Sequence, residues 1–149
     1  MDGGKLLFQL FRIVLGFIAG LIACGLFLAW GFFQAAHPGD DPIAFATMVG
    51  TGLVSASVIG ATALVPAAAA IAIAEAARLR GVIYHVGMAG GMAYVIWTLG
   101  AYSVEGGLRP GSAVAIAAGF LAGAVYWLVA GRMAGCWHRR AQARDERES

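Results

Sequence analysis

Charge is scarce in this chain: Asp, Glu, Lys and Arg together make up 12% of its 149 residues. Soluble domains carry about 25%, so a molecule wetted on all sides is excluded. Lysine is nearly absent, with Lys5 the only one, and arginine carries almost all the positive charge. Together with the abundance of Ala and Gly, this points to a GC-rich bacterial genome. The cysteines number two, Cys24 and Cys136. A disulfide needs Cα atoms within about 7 Å. The topology derived below separates the pair along the membrane normal, so both are read as free thiols. Phosphate-binding loops, nucleophile elbows and paired mid-membrane carboxylates are missing. Of the three histidines, His37 falls in a loop and His138 in the tail, which leaves His85 alone among apolar residues. One histidine makes neither a two-histidine haem site nor a zinc site. No catalytic, cofactor-binding or metal-ligating set is therefore expected, and the chain does not read as an enzyme.

What is abundant is apolar: 60% of residues are hydrophobic, and the mean hydropathy is +0.79. A helix needs about 20 apolar residues to cross a hydrocarbon core of roughly 30 Å. Four stretches qualify: 13–36, 43–74, 82–104 and 112–131. Backbone groups in lipid must be satisfied within the segment. The expectation is an all-α integral membrane bundle in one domain, with helices over about 6–36, 42–78, 82–104 and 111–136 and a charged cytoplasmic tail over 137–149. The links are short, which predicts that consecutive helices are antiparallel neighbours. Asp41 and Pro42 suit an N-cap and a first helical position. The second helix is longer than a span requires, and Pro66 predicts a kink just before it, near Ala61 to Ala63.

Basic residues orient the helices. With both termini inside, Lys5, Arg12, Arg78, Arg80, Arg132, Arg139, Arg140, Arg144 and Arg147 share the cytoplasmic side. Only Arg109 falls outside, alongside Asp40, Asp41 and Glu105. Trp30, Phe32, Phe33, Trp97 and Tyr102 mark the outer interface, and Tyr84 and Trp137 the inner one. Tyr126 and Trp127 lie deeper and are expected between helices. Leu21-Ile22-Ala23-Cys24 matches the acylation signal of bacterial lipoproteins. Apolar residues continue from Gly25 to Phe33, however, where a lipoprotein turns polar, so the match reads as accidental.

Small residues recur at steps of four: Gly16/Gly20, Gly52/Ala56/Gly60, Gly87/Gly91 and Ala115/Gly119/Gly123. Such rows let helix backbones approach closely in lipid. They serve either packing within the bundle, the favoured reading, or contact with a second copy or another membrane protein. Thr47, Thr51 and Ser55 share a helical face. They could line a solute path, but self-bonding to the helix backbone is the simpler reading. Glu75 and Arg78 are spaced for a same-helix ion pair. Across the turn at Gly81, Glu75 and His85 fall at similar depth, which makes them the sharpest candidate for an intramembrane polar site. Arg78, Arg80, Arg132, Arg139 and Arg140 are interfacial, and the basic tail attracts anionic lipid. Asp145, Glu146 and Glu148 dilute that tail and argue against nucleic acid. Arg12 with Gln9 is read as snorkelling to the inner interface.

Two patches carry a resemblance. They are Gly123-Ala124-Val125-Tyr126-Trp127-Leu128-Val129-Ala130-Gly131-Arg132 with Gly135 and Trp137, and Leu64-Val65-Pro66 through Ile73-Ala74-Glu75-Ala76. They resemble small four-helix inner-membrane proteins of alphaproteobacteria, a group with no assigned activity. The resemblance implies location and architecture only. Length and hydropathy also resemble small multidrug exporters and fluoride channels. The glutamate that the exporters carry in their first helix is absent here, as is the glycine–arginine signature of the channels. The expectation is a non-enzymatic accessory or interaction protein of the bacterial inner membrane; the alternative is a small oligomeric transporter or channel.

Overall fold

The computed structural model describes residues 3–33, 41–99 and 111–134. They form four α-helices, α1 (Gly3–Phe33), α2 (Pro42–Ala77), α3 (Val82–Leu99) and α4 (Ser112–Val129), and a closing 3-10 turn at Gly131–Met133. Each helix is long and apolar enough to cross a membrane. The all-α four-helix reading holds. The expected ends of α1 and α3, and the tail with Cys136, Arg139 and Arg140, lie outside the described residues.

The helix ends follow local chemistry. Asp41 is the N-cap of α2, and its carboxylate accepts from the backbone N–H of Ile43 at 3.1 Å and of Ala44 at 2.9 Å. Pro42 takes the first position, where its missing N–H is harmless. At the other end Arg78 adopts a left-handed conformation with φ 55° and donates its backbone N–H to the Ala74 carbonyl. The Leu79 N–H donates to the same carbonyl at 2.9 Å. α4 begins after Gly111, whose φ of 87° glycine adopts without strain. Its α-helical geometry ends at Val129, earlier than the expected 136, and tightens into the 3-10 turn.

α2 is one unbroken helix through Pro66. The proline removes the N–H that would pair with the Thr62 carbonyl, and the 36-residue helix continues past that loss to Ala77.

Packing follows small residues, not large ones. The buried positions of α2 are Met48, Gly52, Ala56, Ala63, Ala67, Ala70 and Ala74. Large apolar side chains point the other way: Ile83 is 85% exposed, Phe32 83% and Leu99 80%. A water-soluble bundle does the reverse, and so large an exposed apolar surface needs an apolar surrounding. In lipid, contact between helices comes from close backbone approach at Gly and Ala. The chain is a multi-pass membrane protein.

The helices are arranged around the bundle in the order α2, α1, α4, α3. α1 packs extensively on both α2 and α4, and α4 packs on α3, whereas α2 and α3 meet only sparsely. The expectation that all consecutive helices are close neighbours is corrected at this pair. The turn over 78–81 joins them at one end, but α1 and α4 take up the faces that would otherwise bring them together.

Candidate functional site

The loose α2–α3 seam leaves a cavity in the bundle of about 120 Å³. All four helices contribute to its wall, among them Cys24 of α1, Ala67 of α2, Met88 and Met92 of α3, and Tyr126 of α4. The wall is almost wholly apolar. Alanines on the α2 side and methionines on the α3 side explain both its existence and its character. Alanine is too short to reach across, and methionine is flexible enough to leave irregular gaps.

His85 sits in the wall at the end nearest the 78–81 turn and is 6% exposed. Its Nδ1 lies 3.0 Å from the Gly81 carbonyl. A carbonyl only accepts, so Nδ1 carries a proton and donates to it. Nε2 is buried without a hydrogen-bond partner. The ring stacks on Tyr126, with centroids 5.6 Å apart and planes at 29°, and meets Tyr84 edge-on at 5.3 Å. Gly131 leaves room beside it: a Cβ there would stand 3.0 Å from Nε2.

Around this histidine the ends of the helices are stitched together. Gln9 of α1 donates to the Glu75 carboxylate of α2 at 2.7 Å. Arg12 of α1 donates to the Val129 carbonyl and to the Met133 sulfur beyond α4. The Tyr84 hydroxyl donates to the Ala70 carbonyl at 3.0 Å, tying α3 to α2. The Trp127 indole donates to the Arg80 carbonyl at 2.8 Å, and Arg80 Nε donates to the Ala134 carbonyl at 2.8 Å. Several of these bonds end on carbonyls that the helix ladder leaves without a donor. Arg132, in the 3-10 turn, donates from Nε to the Leu128 carbonyl of α4 at 3.3 Å and lies 5.3 Å from the Trp127 ring centroid.

Of the residues singled out from sequence, Glu75, Arg80 and His85 come to this one end of the bundle. Glu75 turns toward Gln9, and Arg78 has left the helix as its cap. The hydroxyl row is elsewhere: Thr47 and Thr51 are exposed and Ser55 is half-buried. Thr47 donates to the Ile43 carbonyl of its own helix at 2.8 Å. None of the three lines the cavity.

The glycine rows divide. Added Cβ atoms at Gly20, Gly119 and Gly123 would stand 2.9, 2.7 and 2.6 Å from the carbonyl oxygens of Ala122, Ala89 and His85. Gly16 abuts Ala130 at 3.1 Å, and Gly52 and Gly60 abut Leu26 and Leu21 at 2.9 and 2.7 Å. Gly87 and Gly91, in contrast, face open space. On α3 it is Gly90, against the Phe120 ring, that packs inward. Gly25, against the Gly52 carbonyl, is a second packing glycine missed from sequence. Gln9, Tyr84 and Trp127 also gave no periodic signal of their roles at this end. Among the described residues no group of three or more His, Cys, Asp or Glu side chains converges. Comparison with models of known protein families, with curated proteins and with solved structures finds no match.

Proposed function

We propose that this chain is a non-enzymatic accessory or interaction protein of the bacterial inner membrane, with both termini in the cytoplasm. The observation that carries this reading is the interior of the bundle: an apolar cavity beside polar side chains that bond mainly to the backbone of neighbouring helices. Such an interior supports a role in holding shape and meeting other apolar surfaces, rather than one in moving charge. The bilayer is the first partner. A second copy of the chain or another membrane protein is the next, and the open Gly87 and Gly91 positions on α3 support a helix approaching there.

Affinity capture from native membranes tests this directly. It is expected to recover a stoichiometric membrane partner, or the chain itself at more than monomer mass in nanodiscs. Recovery of the monomer alone in both would defeat the proposal. Reporter fusions after Gly39 and after Gly107 are expected in the periplasm and a fusion after Ser149 in the cytosol.

One observation favours the runner-up, a small oligomeric transporter or channel: the buried, unpartnered Nε2 of His85. An uncompensated polar atom at depth in a membrane protein is a functional signal by default. The accessory reading predicts ion and small-cation flux in proteoliposomes equal to that of empty vesicles. Flux above that level, lost in Glu75→Gln, would replace it with the runner-up.

A further inference from the structure

The cavity between the helices meets the bilayer across a thin wall. Met88, Met92 and Ile96 of α3 line the cavity, and the same three side chains line an outer groove, closed on the α2 side by Pro66. Met88 also reaches the surface, at 39% exposure. Methionine has three rotatable bonds and no branch, and it repacks readily. α2 and α3 meet only sparsely along this seam. A small molecule dissolved in the bilayer therefore has a lateral way in, past flexible side chains.

Size and wall chemistry limit what enters. An apolar cavity of about 150 Å³ stays dry and accepts benzene. This one is about 120 Å³, so with a little give from Met88 and Met92 it takes one six-membered ring, and a fused pair of rings is too large. The wall suits an aromatic ring. Thioether sulfur makes favourable contacts with ring edges, and the rings of Phe17 and Tyr126 offer a further ring offset or edge-on packing.

One atom of the wall calls for more than hydrocarbon. His85 lines the cavity and is 6% exposed, and its Nε2 is buried without a partner. Water suits this position poorly, because a buried water takes about two to four polar partners and the donors nearby are already committed. The Trp127 indole donates to the Arg80 carbonyl, the Tyr84 hydroxyl to the Ala70 carbonyl, and Nδ1 of His85 itself to the Gly81 carbonyl. A hydroxyl carried on an apolar ring brings one polar group to one polar atom. It both donates and accepts, so it pairs with Nε2 in either protonation state of the histidine.

We infer that this cavity is a binding site for a small phenol, a molecule of one aromatic ring and one hydroxyl. The ring lies among Met88, Met92 and Tyr126, and the hydroxyl pairs with His85 Nε2. The site is a property of the bundle interior, and it is independent of which functional reading above is right.

The test uses the full chain in nanodiscs and two probes of nearly equal shape, para-fluorophenol and para-fluorotoluene. Binding is read by fluorine NMR as a saturable signal above that of empty nanodiscs. The wild type is expected to bind one molecule of either probe per chain. His85→Phe keeps a ring in place. It is expected to weaken the phenol by about 5-fold, the factor that one net hydrogen bond contributes, without weakening the toluene. Ala67→Leu fills the cavity from α2 and Met92→Phe narrows it from α3. Each is expected to abolish both signals, and together they guard against one variant failing to fold. Absence of a saturable phenol signal in the wild type would overturn the site, as would wild-type affinity in both filling variants with helicity unchanged. In His85→Phe, an unaltered phenol affinity or an equal loss of both probes would overturn the pairing with Nε2.

Discussion

A single methyl group distinguishes the two kinds of glycine in this bundle. At Gly119 an added Cβ would press on the Ala89 carbonyl oxygen at 2.7 Å and on the Gly90 Cα at 3.0 Å. Backbone cannot swing aside, so α3 and α4 must separate. Gly119→Ala is expected to lower stability by about 1–3 kcal/mol, the usual range for overpacking. At Gly87 the same methyl meets nothing within 4 Å, and alanine is the better helix former by up to about 1 kcal/mol. Gly87→Ala is therefore expected to be neutral or stabilising. Thermal unfolding in one detergent, followed by helicity, separates the two. Destabilisation at Gly87 would mean that this face is occupied by a partner.

His85 makes the residue scale less one-sided. It has one good bond, from Nδ1 to Gly81, and one buried nitrogen without a partner. Removing a satisfied bond loses about 1 kcal/mol, while removing a desolvated orphan regains a similar amount. His85→Phe keeps the ring stack on Tyr126 and is expected to change stability by less than about 1 kcal/mol. A larger loss would show that Nε2 has a partner in the membrane.

At the scale of the element, α2 is the instructive case. Its start was legible: Asp41 before Pro42 is a capping signature, and both N-cap bonds are present. Asp41→Ala is expected to cost roughly 1 kcal/mol, read as a lower unfolding midpoint. Its end was legible only in position. That Arg78 takes the left-handed cap, where glycine is usual, cannot be seen from an arginine in a sequence. Arg78→Gly relieves that conformation at some cost in unfolded-chain entropy. The expected net is a gain of less than about 1 kcal/mol. The passage of α2 through Pro66 was not legible either. Proline marks the lost hydrogen bond, but surrounding packing decides whether the helix stops. The glycine rows show the same limit. A repeat of four residues identifies a face without identifying its neighbour, so Gly87 and Gly91 were indistinguishable in sequence from Gly119 and Gly123. Gly90, in no row, went unseen.

On the scale of the whole molecule, the inside-out distribution explains most of the architecture. Small residues face inward, and Ile83, Leu99 and Phe32 face outward. Hydropathy alone made the four spans legible, because lipid demands about 20 apolar residues whatever the fold. The neighbour relations were not legible, since short turns fix which ends meet and not which faces do. The sparse α2–α3 seam and its cavity emerge only when α1 and α4 are placed between the outer pair. Likewise, Gln9, Glu75, Tyr84 and His85 could be assigned a common end from sequence, but not the bonds from Gln9 to Glu75, from Tyr84 to Ala70 and from Trp127 to Arg80 that join the helices there.

Spin labels on single cysteines at Val58 and Val65, outward-facing positions of α2, test the central claim in reconstituted vesicles. Collision rates are read with molecular oxygen, which concentrates in hydrocarbon, and with a water-soluble nickel chelate. Both positions are expected to be open to oxygen and shielded from nickel. Free access of nickel to both labels would contradict a bundle whose apolar exterior lies in lipid.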